Sequence, residues 1–130
     1  MTPVDQTIFT VPGGNCYAAC VASLLNMRLC DVPNFHGADD WQTALAIWLE
    51  PFDMYPVYCA LHQGEAAWRP QGLYILGGKS PRGEWGHAAV AMGSKVVHDP
   101  HPSRAGVLTW DEATLLVHLD PCGSRRVALK

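Results

Sequence analysis

Three side chains of this sequence could together run a thiol-based acyl transfer. Cys16 lies in Gly13-Gly14-Asn15-Cys16-Tyr17-Ala18-Ala19-Cys20, His87 follows Gly86, and Asp99 stands in His98-Asp99-Pro100. A thiol near neutral pH is mostly protonated, and only the thiolate attacks a carbonyl well. A neighbouring imidazole can take that proton and hold the thiolate as an ion pair. A carboxylate on the far ring nitrogen then fixes the imidazole's tautomer and orientation. Taken singly, each residue has a plainer reading: Cys16 as a small core residue, His87 as a satisfied strand-end histidine, Asp99 as the start of an Asp-Pro turn. Their joint occurrence behind Gly-Gly-Asn favours chemistry.

These groups need elements that bring them together. Asn15 has the side chain of an N-cap, and a small, apolar helix is expected from Cys16 to about Met27, with Ala18, Val21, Ala22 and Leu25 at helical spacing. The thiol would then sit at the first turn, where unpaired amides and the macrodipole favour negative charge. The Cys16 amide could donate to an oxyanion, and Gly13 and Gly14 let the main chain approach a substrate closely. His87 to Ala91 and Val96 to Asp99 read as a hairpin around Gly93. Parity decides whether it is useful. A three-residue loop Met92-Gly93-Ser94 pairs His87 directly with Asp99 and puts both on one face, whereas a two-residue Gly93-Ser94 turn pairs Asp99 with Ala88 and turns the carboxylate away. The chemistry therefore demands an odd loop or a bulge in this hairpin.

The remaining pattern is that of an α+β domain. A second helix is expected from Asp40 to Glu50, with Trp41, Ala44, Leu45, Trp48 and Leu49 as its apolar stripe. Tyr55 to Leu61 and Leu73 to Leu76 read as strands. The glycine-rich stretch from Gly77 to Gly86 reads as a mobile loop leading into His87. Thr109-Trp110-Asp111-Glu112 fits a capping box, which predicts a late helix through Leu115, Leu116 and Leu119, and Arg126 to Leu129 reads as a last strand.

Composition bounds the rest. The chain has 130 residues, 48% apolar and 16% charged, which suits one packed domain over 1–130. A net charge of -3 gives no electrostatic case for nucleic acid. No apolar run is long enough to enter a membrane as a span, and the N-terminus lacks the pattern of a signal peptide. Five cysteines, an odd number without scaffold spacing, point to reduced thiols and a cytoplasmic location. Cys16, Cys20, His98 and His101 could in principle hold zinc, but no knuckle spacing is present, and no metal or cofactor is expected. Cys20, Cys30, Cys59 and Cys122 default to packing, and His36, His62 and His118 to ordinary surface or half-buried positions. His101 and Ser103 could contact substrate, although a rigid turn explains their prolines equally well. Trp85 could shield the imidazole or line a substrate groove.

The ordered pattern resembles papain-like cysteine peptidases, in particular the domains that process double-glycine leaders of bacteriocins. The residues that carry the resemblance are Gln6, Cys16 with Ala19-Cys20 behind it, His87-Ala88-Ala89-Val90 and Asp99-Pro100. The chain is also similar to small uncharacterised bacterial and phage proteins with a Gly-Asn-Cys start and a His-Asp-Pro-His-Pro-Ser segment, here His98 to Ser103. The resemblance implies a papain-like fold, with an N-terminal central helix packed on an antiparallel sheet. It implies Cys16 as nucleophile, His87 as base and acid, Asp99 as orienting group and Gln6 as the oxyanion-hole side chain. Asn15, Trp85 and Gly86 would then contact a peptide or protein substrate. Gln6 precedes Cys16 by ten residues, so the Pro12-Gly13-Gly14 stretch must loop out for it to reach. Hydrolysis through a thioester is the expected outcome. A transglutaminase or deamidase could use the same three groups, and a phage-derived binding module acting on a host protein could keep the pattern without hydrolysis. A phage-encoded chain would work in the cytoplasm of the host cell.

Overall fold

A computed structural model of the chain describes residues 1–11, 13–64 and 67–120. It contains two α-helices, α1 (Cys16–Leu25) and α2 (Trp41–Leu49), followed by five strands: β1 (Met54–Ala60), β2 (Leu73–Lys79), β3 (Gly86–Met92), β4 (Lys95–His98) and β5 (Glu112–His118). The strands form one antiparallel sheet in the order β1-β5-β2-β3-β4. The architecture is α+β, with α1 packed against β3 and β2.

Helix α1 is central because it has almost no polar surface to expose. Every residue from Cys16 to Ser23 is buried. Ala18, Val21 and Ala22 meet Ile75, Ala88 and Val90 of the sheet in one core cluster. Small side chains on both surfaces let helix and sheet approach closely. The two buried hydroxyls of the helix are satisfied: Tyr17 Oη donates to Thr114 Oγ1 at 2.8 Å, and Ser23 Oγ to Ala19 O at 2.8 Å. Asn26 adopts the left-handed conformation (φ 56°), and Met27 N donates to Ala22 O, so the helix stops two residues before Met27. In α2, Asp40 caps by accepting from Thr43 N, and Leu45 and Leu49 point into the same core.

The capping box at Thr109 does not open a helix. Residues 112–118 instead form β5, hydrogen-bonded to β1 on one side and β2 on the other. Ala113 and Thr114 are both buried, one in the cluster with Leu61, Tyr74 and Leu76, the other against Tyr17. Two neighbouring ladders override the local helix signal. Thr109 Oγ1 turns to Asp111 Oδ2 and accepts from Lys79 N, while Asp111 N donates to Gly77 O, so the would-be cap prolongs the sheet.

The glycine-rich stretch is likewise more ordered than expected. Gly77 and Gly78 belong to β2 and Gly86 to β3, leaving only residues 80–85 as a connection, closed by Ser80 N to Trp85 O at 2.8 Å. Gly78 is obligatory: a Cβ there would lie 1.7 Å from Thr109 O. The expected strand from Arg126 to Leu129, and Cys122, lie outside the described residues.

The β3–β4 hairpin has the two-residue Gly93-Ser94 turn, with Met92 opposite Lys95 and Ala91 opposite Val96. A bulge then shifts the register so that Val90 faces His98. An unbroken ladder would have carried Asp99 to Ala88. The shift brings it level with Ala89, two residues from His87 and on the same side of the strand. The hairpin therefore has the two-residue turn and not the three-residue loop, and of the two irregularities expected, an odd loop or a bulge, it carries the bulge.

Candidate active site

The start of α1 and the start of β3 meet at one cleft of about 360 Å³, lined by Cys16, His87 and Gln6 among others. His87 Nε2 lies 2.7 Å from Asp99 Oδ1, and both side chains are almost fully buried. Asp99 is held as an anion from several directions. Its Oδ1 also accepts from His101 N at 2.9 Å, and its Oδ2 from Gly106 N at 2.6 Å. Burial opposes that charge, but the His87 contact and the two amides outweigh it and keep the carboxyl below its ordinary range. Burial likewise works against a charged His87. The hydrogen bond to Asp99, and then the influence of Cys16 in the same cleft, reverse this and raise the imidazole to about 9. With Nε2 taken by Asp99, Nδ1 is the ring nitrogen left for Cys16.

Gln6 arrives through an anchored N-terminal arm. Gln6 N donates to Pro100 O at 3.0 Å, Val4 N to Ser23 Oγ at 3.0 Å, and His98 Nε2 to Val4 O at 2.9 Å. Asp5 pairs with Arg104, which also donates to the Asp99 carbonyl. The chain after Ile8 loops outward, leaving Phe9 and Val11 half exposed, and returns where Asn15 N donates to Ile8 O. Gln6 Nε2 donates one hydrogen to Ile8 O at 3.0 Å, and the same nitrogen carries a second. Gln6 Oε1 is buried without a hydrogen-bond partner among the described residues.

Asn15 differs from expectation. It makes no side-chain cap on α1. Its Oδ1 accepts from Thr7 N and Ile8 N, both at 2.9 Å, and its Nδ2 donates to Thr7 Oγ1 at 3.0 Å. The pair of amides in the arm before the loop outbids the helix end. Asn15 therefore clamps the arm from behind the cleft and is not among its lining residues, whereas Trp85 and Gly86 are.

No protein-family model, curated protein or solved structure matches the chain. The case for function accordingly rests on the site itself.

Several lining residues carried no motif in the sequence. His36 and Trp41 close one end, their rings 5.0 Å apart and both packed on Tyr17. Burial lowers the pKa of His36. Arg82 and His101 form a side wall. For His36, Trp41 and Arg82 position in the fold was the only available signal, Arg82 lying in the short connection that delivers His87, whereas His101 stands in the His98 to Ser103 segment that the sequence had marked as a substrate-contact candidate. Cys20, one turn below Cys16, is wholly enclosed, and burial first, then Cys16 and Asp99, push its thiol well above the ordinary range. Among the described residues no three His, Cys, Asp or Glu side chains gather as a metal site, and no helix is long and apolar enough to cross a membrane. The four described cysteines are free.

Proposed function

We propose that this protein is a papain-like cysteine hydrolase acting on a peptide or other amide bond. The observation that carries the proposal is the His87 imidazole, hydrogen-bonded at Nε2 to a buried carboxylate and lining one open cleft together with Cys16 at the start of α1.

His87 Nδ1 takes the proton of Cys16, and the sulfur attacks the substrate carbonyl carbon. The C=O electron pair moves onto oxygen, and the Cys16 amide with the second Nε2 hydrogen of Gln6 stabilises that charge. As the tetrahedral adduct collapses, the C–N bond breaks and His87 gives its proton to the departing amine. A thioester remains on Cys16. Water then attacks it, losing a proton to His87, and the acid leaves as the thiol is reprotonated. Asp99 keeps the ring in the tautomer that presents Nδ1 to sulfur and supports its positive charge. A protein or peptide substrate in a reducing, cytoplasmic setting fits free thiols of this kind.

The test is a quenched-fluorescence peptide library incubated with wild type, Cys16→Ala and His87→Ala, with intact mass recorded during turnover. Cleavage by wild type only, with an acyl adduct on Cys16, supports the proposal. Release of ammonia from glutamine side chains, without chain cleavage, would redirect it to a deamidase. Wild-type rates from Cys16→Ala would end it.

A further inference from the structure

We propose that Arg82 and His101 form a carboxylate-binding subsite, so that the cleft selects acyl substrates bearing a carboxylate close to the reacting carbonyl. This rests on the hydrolase reading above and narrows its substrate class.

His101 is fixed as a hydrogen-bond donor. The backbone N–H of Ser103 can only donate, and it points to His101 Nδ1 at 3.0 Å. Nδ1 must therefore keep its lone pair, which makes the ring neutral and puts its one N–H at Nε2. Burial, then the charges of Arg82 and His87, lower the pKa of His101 in keeping with that tautomer. The ring stands edge-on to Phe9 at 5.3 Å and 6.2 Å from the His87 ring, on the cleft wall.

Arg82 completes the wall. One guanidinium nitrogen donates to Ser103 Oγ at 3.1 Å, which ties it to the loop that holds His101. It has no carboxylate partner among the described residues, and the nearby acids are committed elsewhere. Glu84 pairs with Lys79 at 3.3 Å, Asp5 with Arg104, and Asp99 with His87 and two backbone amides. No Asp or Glu lines the cleft among the described residues. A guanidinium with spare N–H groups, a neutral N–H donor tied to the same Ser103 hydroxyl and no competing acid offer a carboxylate charge-assisted hydrogen bonds and offer a cation nothing.

The carboxylate could be an acidic side chain or a chain terminus, and thiol-directed probes separate the two. Cys16 displaces bromide from bromoacetyl-glutamine amide (neutral), from bromoacetyl-glutamate amide (side-chain acid) or from bromoacetyl-glutamine with a free terminal carboxylate. In each case a C–S bond forms and bromide leaves. Alkylation of Cys16 should be faster by about fivefold or more with one acidic probe than with the neutral one, and the favoured probe names the source. Arg82→Gln should collapse that ratio towards one, Arg82→Lys should retain part of it, and Arg82→Glu should invert it. Equal rates for all three probes on wild type, or a preference that survives Arg82→Gln, would overturn the subsite. Failure of Cys16 to react with plain iodoacetamide faster than Cys30 is a separate result, which overturns the hydrolase reading and this inference with it.

Discussion

Asp5 and Arg104 are joined by paired hydrogen bonds, Arg104 Nη2 to Asp5 Oδ2 at 2.9 Å and Nη1 to Oδ1, across 99 residues of sequence. The pair ties the arm that carries Gln6 to the segment that carries Asp99. Both side chains are about half exposed, so screening by solvent leaves the contact little weight in global stability. Its effect is local. Asp5→Asn should leave the unfolding transition nearly unchanged while speeding amide exchange at Gln6, whose N–H bonds to Pro100 O. Unchanged Gln6 exchange would show that Asn15 and Ser23 alone hold the arm.

The coupled His87–Asp99 pair sets the pH dependence. His87 is raised from 6.5 to about 9 in the folded chain, so the stability it contributes is complete below pH 6.5 and lost as pH rises through about 9. Asp99 is depressed, so its contribution is present above its ordinary pKa of 3.8 and lost as pH falls through the lower folded value. Thermal unfolding against pH should give a plateau between these limits for wild type. In Asp99→Asn the larger of the two influences that raise His87 is lost while burial remains, and its titration, followed by imidazole NMR, should fall well below 9. A titration that stays near 9 in that variant would remove Asp99 from its orienting role.

Gln6 separates oxyanion stabilisation from thiol activation. Gln6→Ala should cut turnover of a library-derived substrate by about 100- to 1000-fold, the usual cost of one oxyanion donor. Alkylation of Cys16 by iodoacetamide builds no oxyanion and should slow far less. Equal losses in both assays would mean that Gln6 only supports the arm.

Gly78 tests the frame behind the imidazole. It pairs with His87 in the sheet, and a Cβ would collide with the Thr109 carbonyl at 1.7 Å. Gly78→Ala should cost about 1–3 kcal/mol, a lowering of Tm on the order of 5–10 °C in calorimetry. A neutral effect would mean that the 107–109 segment yields easily.

Much of this site was legible because short-range rules governed it. Glycines and small residues around Cys16 marked the start of a buried helix, and parity between His87 and Asp99 called for an odd loop or a bulge, of which the hairpin carries the bulge. What escaped was decided by distant partners. Thr109 to Glu112 satisfied a local capping rule, yet β1 and β2 each offered a ladder and claimed residues 112–118 as a central strand. Asn15 had the right type for a cap, but the arm's Thr7 and Ile8 amides took its oxygen. Arg82, His36 and Trp41 line the cleft through topology alone.

The most direct measurement is the site-resolved rate of iodoacetamide alkylation of Cys16, Cys20, Cys30 and Cys59 in wild type and His87→Ala. Cys16 is only 8% exposed, whereas Cys30 is exposed, so access alone predicts that Cys30 reacts first. A thiol activated by His87 should instead react on the order of tenfold or more faster than Cys30, and lose that lead in His87→Ala. Cys16 trailing Cys30, with the same rate in both proteins, would contradict the catalytic account.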